Sequence, residues 1–211
     1  MGSASDLSDF PDLSRAAVDV APLLLGAVLH KGSAAGQIVE VEAYGAEDDA
    51  ASHAANGETP RNQSMFGAPG TLYVYLIYGI HLCVNVVCGP VGVGGAVLIR
   101  ALAPLSGEEE MWVRRPKART GVDLCSGPGK LTQALGIVRD DDGVDLLSST
   151  HPSVRLSAGV PASETEPPAE VRCGPRIGIS KAAERPWRFA LAESPFVSRP
   201  VPTAAFGVAR R

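Results

Sequence analysis

The sequence lacks paired cysteines. Its four, Cys83, Cys88, Cys125 and Cys173, are scattered without a CxxC pair, so neither a zinc ribbon nor a dithiol redox centre finds its usual spacing. Zinc held by these cysteines with His81 would need a poor ligand spacing, and we read the thiols as reduced and structural. A secretory leader is not expected either. The first residues are polar and acidic, which predicts a cytoplasmic protein. From Thr71 to Ile99 there is no Asp, Glu, Lys or Arg, a stretch long enough to cross a bilayer. However, Gly79, Gly89-Pro90, Gly92 and Gly94-Gly95 interrupt it, and its apolar residues alternate with Tyr, His and Asn. Strands joined by turns are therefore expected, and a membrane span is not.

Basic residues are scarce in the first half. Residues 1–99 carry only Arg15, Lys31 and Arg61 against ten acidic side chains, whereas the other 112 carry sixteen basic and thirteen acidic. On a chain of net charge −4 two basic islands result. One is Arg114, Arg115, Lys117, Arg119 and Lys130; the other is Arg172, Arg176, Lys181, Arg185 and Arg188. Such islands suit a polyanion held locally, and they equally suit ordinary solvated surface.

There is no internal repeat and no domain boundary, and 211 residues suffice for one sizeable domain. The 23 Gly and 17 Pro favour many turns and short elements over a helical bundle. We expect a flexible lead-in over 1–13 and one domain over 14–205, with the Pro- and Glu-rich 161–170 as a flexible loop. Its elements begin with one amphipathic helix over "DLSRAAVDVAPLLLG", interrupted if anywhere at Pro22. Strands follow at "GQIVEVEAY", at "GTLYVYLIYGIHLCVNVV" (two, meeting near Tyr78-Gly79) and at "GGAVLIRAL". A short helix is placed around Glu47–His53, others over Glu108–Arg119 and after the Gly/Pro turn of "CSGPGKLTQALGI", and last strands at "PRIGISKA" and "PWRFAL". The fold class is α+β: a curved, mainly antiparallel sheet with surrounding helices and a protruding β-hairpin.

Within "VEVEAYGAEDDAASH", alternation sends Val39, Val41 and Ala43 to one face and Glu40, Glu42 and Tyr44 to the other. A solvated strand face is the ordinary explanation. The chemical one is a carboxylate that deprotonates a water for attack on a sugar-like carbon. All four tyrosines, Tyr44, Tyr73, Tyr75 and Tyr78, fall between residues 44 and 78. Tyr73 reads as core, but Tyr78 at a tight hairpin tip cannot readily be core, and the cluster suits a pocket that stacks a planar ligand.

Together, "VEVEAY", "SHA", "TPRNQSMFGAPGTLYVYLIYGIHLCVNVV", "VLIRALAPLSG", "LCSGPGKLTQALGI", "GPRIGIS" and "PWRF" resemble the alkyladenine (3-methyladenine) DNA glycosylase family, bacterial branch, in order from about Leu24 to Ser198. The resemblance implies a monofunctional base-excision repair enzyme that flips damaged purines from duplex DNA and hydrolyses the N-glycosidic bond. The purines would be 3-methyladenine, 7-methylguanine and, on a wider range, hypoxanthine or ethenoadenine. Carried over residue by residue, Glu42 would be the general base and Arg100, with the backbone near Val197, would orient the water. Tyr44, His53, Tyr75 and Asn85 would line the base pocket, with Asn85 screening against guanine, and Tyr78 would be the wedge. Arg61, Lys130, Arg176 and Lys181 would contact the DNA backbone. No cofactor or metal is implied; the partner is duplex DNA containing damaged purines, and the enzyme would be a nucleoid-associated monomer. Lys31, the only lysine in residues 1–99, lies outside the pocket motifs, which disfavours a Schiff base and strand cleavage. Gly45-Ala46 replace bulkier residues of the family, which would loosen the pocket wall. Glu40 receives no role beyond raising the pKa of Glu42 or being solvated. Two readings of other classes stand beside this one. A hydrolase of free nucleosides would not need Tyr78, and a damaged-DNA sensor without catalysis would not need Glu42.

Overall fold

The computed structural model describes residues 10–148, 153–159 and 170–201, and its central element is strand β2 (Ala34–Tyr44). One edge of β2 pairs along its length with β5 (Gly95–Ser106). The other edge pairs first with β1 (Val28–Lys31) and then with β8 (Arg188–Leu191). Beyond β5 lie β4 (His81–Cys88) and β3 (Leu72–Ile77), while β6 (Val154–Ser157) flanks β1 and β7 (Val171–Gly174) flanks β8. Among the described residues all pairings are antiparallel, and the eight strands make one curled sheet of a single α+β domain.

Period-two alternation divides the sheet. Val74, Val84, Val86, Val97, Ile99, Val41 and Ala43 face a core completed by helices α1 (Ala17–Val20), α3 (Gly121–Cys125) and α4 (Pro128–Leu135) and by Met111 of α2 (Glu108–Arg114). Each fully buried Leu, Ile or Met there contributes about 1.5–3 kcal/mol. The opposite face carries Tyr73, Val87 and Ala96 against Ala54 and Met65, and it also carries Glu40, Glu42, Asn85 and Arg100.

Two bulges break the alternation where β2 meets β5. Ile38 faces Leu102 while Glu40 faces Ala101, so Val39 is extra on β2; Val41 then faces Ile99, so Arg100 is extra on β5. A bulge re-aims a side chain, and here it frees Arg100 to lie between two glutamates of the neighbouring strand. It also shifts the expected pattern: Ile38, not Val39, shares the core with Val41 and Ala43.

Other expectations are corrected by local stereochemistry. The first helix is only Ala17–Val20, because Pro22 forces a 3-10 turn over Ala21–Leu24. Helix α2 ends at Arg114 instead of running to Arg119, since Arg115 precedes Pro116 and leaves the helical region at φ −119°. No helix forms over Glu47–His53; turns lead to a 3-10 turn at His53–Asn56, capped by the Ser52 hydroxyl accepting from Ala54 N–H. "PRIGISKA" is irregular, and β1, β6 and β7 were not anticipated. Residues 1–9 of the expected lead-in and 161–169 of the expected loop lie outside the described residues, whereas Leu13 is buried in the core. Among the described residues, no helix is long and apolar enough to cross a membrane.

Two glycines with left-handed backbones make a stability contrast. A Cβ on Gly107 (φ +68°) would fall 2.6 Å from the Ala34 Cα, whereas one on Gly79 (φ +70°) would meet nothing within 4 Å. We predict that Gly79→Ala costs about 1–2 kcal/mol in urea unfolding, the backbone penalty alone, and that Gly107→Ala costs clearly more because β2 must shift. Equal costs would contradict the packing described.

Candidate active site

A cavity of about 460 Å³ opens on the second face of the sheet. Strands β3 and β4 supply Tyr73, Tyr75, Ile77, Cys83 and Asn85, β5 supplies Leu98 and Arg100, and β2 supplies Tyr44. His53, Arg61 and Met65 close one side, Pro128 and residues 177–179 another, and Tyr78 stands at the mouth. Tyr44, His53, Tyr75, Asn85, Arg100, Tyr78 and Arg61, far apart in sequence, thus share one wall or rim.

Glu42 lies directly behind Tyr44 and Arg100, with no exposure. Its Oε1 accepts from Ile177 N–H at 2.7 Å and pairs with Arg100 Nη1 at 3.1 Å, while Oε2 accepts from the Tyr44 hydroxyl at 2.9 Å. Burial raises its pKa above the ordinary value; Arg100, the Ile177 amide and Tyr44 oppose that rise, and Glu40 adds to it. The Tyr44 hydroxyl is pushed up by burial and by Glu42, so it remains a donor.

Glu40 is not solvated. It is fully buried and accepts from Arg100 Nε at 3.1 Å, the Ser198 hydroxyl at 2.9 Å and Ser198 N–H at 2.5 Å. Arg188 lies 3.7 Å away. Arg100 therefore spans both glutamates, Nε on one and Nη1 on the other. The backbone beside Val197 holds Glu40 through Ser198.

The aromatic wall is built by register. Tyr73 and Tyr75 stack with centroids 5.5 Å apart, and His53 meets Tyr75 edge-on at 4.6 Å. His53 Nδ1 lies 2.9 Å from the Tyr73 hydroxyl. Desolvation and Arg61 lower the histidine's pKa, so its ring is neutral at physiological pH. Burial pushes the Tyr73 phenol up to about 12, which leaves it a proton to donate to the ring. Tyr73 is core, as expected, yet it also lines the cavity. Asn85 Nδ2 donates to the Tyr73 carbonyl at 3.1 Å, which fixes the amide in the wall. Tyr78 is 80% exposed at the tip of the β3–β4 hairpin. It and Gly79 both have positive φ, as a type I′ turn demands, an uncommon conformation for a tyrosine.

The basic islands are corrected. Arg176 is not available to DNA phosphate: it is buried against Asp49. Arg188 is buried beside Glu40, Arg185 pairs with Asp48, and Arg172 with Glu170 and Glu193. Two of the five thus serve buried acids and two pair with exposed ones; Lys181 is exposed. Lys130 is partnered by Asp123. Arg61, exposed at the rim, donates to the Leu76 carbonyl beside the hairpin. The wall is not loosened at Gly45, where a Cβ would already sit 3.1–3.4 Å from Asp48, Asp49 and Trp187. Among the described residues no disulfide is seen between the four cysteines, and no group of His, Cys, Asp and Glu could hold a metal.

Sequence reasoning missed the Ile177 amide, the Ser198–Glu40 contact and the Asp49–Arg176 pair. "GPRIGIS" signalled only that the segment matters. A backbone donor carries no residue-type signature.

The chain is similar to known proteins along most of its length. The family model described as methylpurine-DNA glycosylase matches residues 11–195. Among curated relatives, proteins provisionally named 3-methyladenine DNA glycosylase are similar throughout. That of Rhodopseudomonas palustris is 52% identical over 90% of this chain and 86% of the relative. Those of Burkholderia lata and Nocardia farcinica are each 49% identical, over 89% and 83% of this chain and 88% and 82% of the relative.

A carboxyl group whose pKa is raised on folding binds protons more tightly in the folded state. Stability is therefore lost as pH rises from the ordinary carboxylate range through the raised value. We predict that Glu42→Gln, which removes this cost, has a higher Tm than the wild type at pH 8. The gain should vanish at pH values below the ordinary carboxylate range. A lower Tm at pH 8 would show that the ion pair with Arg100 outweighs desolvation.

Proposed function

The chain belongs to the methylpurine-DNA glycosylase family, whose members hydrolyse N-glycosyl bonds in DNA repair, and on that premise we propose the following reaction. A damaged purine is rotated out of the duplex into the 460 Å³ cavity, between Tyr44 on one side and His53 and Tyr75 on the other. Tyr78 enters the vacated space from the hairpin tip. Its exposure and preset turn support that role, because the side chain stands clear of the wall before DNA arrives. Neutral His53, accepting from Tyr73, would present Nε2–H to the base. Asn85, held by the Tyr73 carbonyl, would obstruct the exocyclic amine of guanine.

The observation that carries the reading is the buried Glu42 carboxylate behind Tyr44 and Arg100. Its Oε2 accepts one bond, from Tyr44, which leaves a lone pair for a water. That water's oxygen attacks C1′ as the bond to the purine nitrogen breaks; its proton passes to Glu42 and the bonding pair leaves with the base. A purine methylated at N3 or N7 is cationic and leaves as a neutral molecule, so little acid assistance is needed. The negative charge of Glu42 also favours the developing oxocarbenium ion. Arg100 would orient the water and hold the carboxylate. No lysine is among the lining residues, and Lys31 is bound to Asp141 at 2.5 Å. A Schiff base is therefore disfavoured, and the product would be an abasic site in an intact strand. The partner is duplex DNA containing alkylated or deaminated purines, met by a monomer through Arg61, Lys181 and the Lys130 region, with strong salt dependence.

Single-turnover release of 3-methyladenine or 7-methylguanine from a duplex oligonucleotide tests the reading. The wild type should release base, and Glu42→Gln should lose at least about 100-fold in rate while binding the duplex normally. Tyr78→Ala should slow release from duplex far more than from a free methylated nucleoside. Equal rates for wild type and Glu42→Gln would overturn the general-base assignment; strand cleavage in step with base release would overturn monofunctionality.

A further inference from the structure

One buried ion pair has no part in the reaction above. Arg176 meets Asp49 with two prongs, Nη1 to Oδ2 at 2.5 Å and Nη2 to Oδ1 at 2.8 Å, and neither side chain is exposed. Replacing such a pair by well-packed apolar groups is often neutral or stabilising, so fold stability alone is a weak reason for it.

Its surroundings give a better one. The guanidinium lies against two rings, 4.7 Å from the Tyr44 centroid and 5.2 Å from that of Trp187. Nη1 also donates to the Ala43 carbonyl at 3.0 Å, so Arg176 grips β2 between Glu42 and Tyr44. In sequence it immediately precedes Ile177. Asp49 in turn accepts from Gly45 N–H at 3.0 Å and Ala51 N–H at 3.2 Å, and so organises the loop that leads to His53. Thus the Tyr44 hydroxyl and the Ile177 amide, which reach different oxygens of Glu42, are both held through Arg176, one by ring contact and the other as its chain neighbour.

We propose that the Asp49–Arg176 pair is a positioning device for the general base. It fixes the Tyr44 hydroxyl and the Ile177 amide on Glu42 and thereby sets the pH above which that carboxylate can take a proton from water. Neither partner touches substrate. The inference rests on the reading of Glu42 given above.

The charged and titratable groups that face Glu42 are Glu40 and Tyr44 on its own strand, Arg100 on β5, Cys83 on β4, Arg188 on β8, and Arg176. Arg176→Lys keeps a positive charge in this set but loses the planar fork and the flat face that stacks on Tyr44. It therefore alters geometry more than net charge. Weaker bonds to the ionised form make Glu42 harder to ionise, so the acid limb of the rate profile must move up.

The test is the pH profile of single-turnover base release from a methylated duplex, for wild type, Arg176→Lys, Asp49→Glu (which keeps the charge but misplaces the carboxylate) and Glu42→Gln. Both pair variants should show an acid-limb midpoint roughly 0.5–1 pH unit above wild type, the consequence of weakening a charge-assisted hydrogen bond. Duplex affinity should change less than about threefold. A midpoint, unlike a plateau, does not depend on the fraction of active enzyme, so mere destabilisation would lower the whole profile without moving it. Wild-type midpoints in both variants, with Glu42→Gln inactive, would overturn this inference alone. Activity in Glu42→Gln would instead overturn the general-base reading on which it rests.

Discussion

The structure depends on accommodating a carboxyl group where water is largely excluded. Glu42 has no exposed surface, and a buried charge without partners would neutralise itself by taking up a proton. Its three partners come from three places: Tyr44 two residues along the strand, Arg100 across the sheet, and the Ile177 amide from a distant segment. Around it lie the buried Glu40 and Asp49 and the buried Arg100, Arg176 and Arg188, while the other buried acid among the described residues, Asp141, pairs with Lys31. These surroundings leave the pKa of Glu42 raised by burial, a rise opposed by Arg100, the Ile177 amide and Tyr44.

The fold supplies this arrangement through one irregularity. In a regular ladder Arg100 would have a single neighbour opposite it on β2. The paired bulges at Val39 and Arg100 let it span Glu40 and Glu42. Glu40 thus acts as the anchor of the arginine, held in turn by Ser198 and Arg188. The sheet's other face is a conventional apolar core, so the polar face rests on a rigid support, which a site of this kind needs to hold its geometry.

The same economy explains the charge distribution. Arginines clustered between residues 172 and 188 look in sequence like a surface for a polyanion, yet Arg176 and Arg188 are turned inward to Asp49 and Glu40 of the first half. Of the basic residues expected at DNA, Arg61 at the cavity rim and Lys181 elsewhere on the surface remain exposed.

Alternation in "VEVEAY" and "LYVYLIY" by itself determined that Glu40, Glu42 and Tyr44 share a face, as do Tyr73 and Tyr75, and that Tyr78 sits at a tip. A period of two is a local property, and so is the left-handed turn that Tyr78-Gly79 completes. The α+β class and the hairpin followed from the same local signals, and the motif order was enough to indicate the family. Which side of the sheet would be buried was not local. Glu40 could equally have been solvated, and only the arrival of β8, Ser198 and Arg100 made it an anchor. Likewise Arg176 and Lys181 look alike in sequence, and only the position of Asp49 in the folded loop turned one inward. Local geometry is written in residue spacing; the partner that neutralises a charge is chosen by long-range packing.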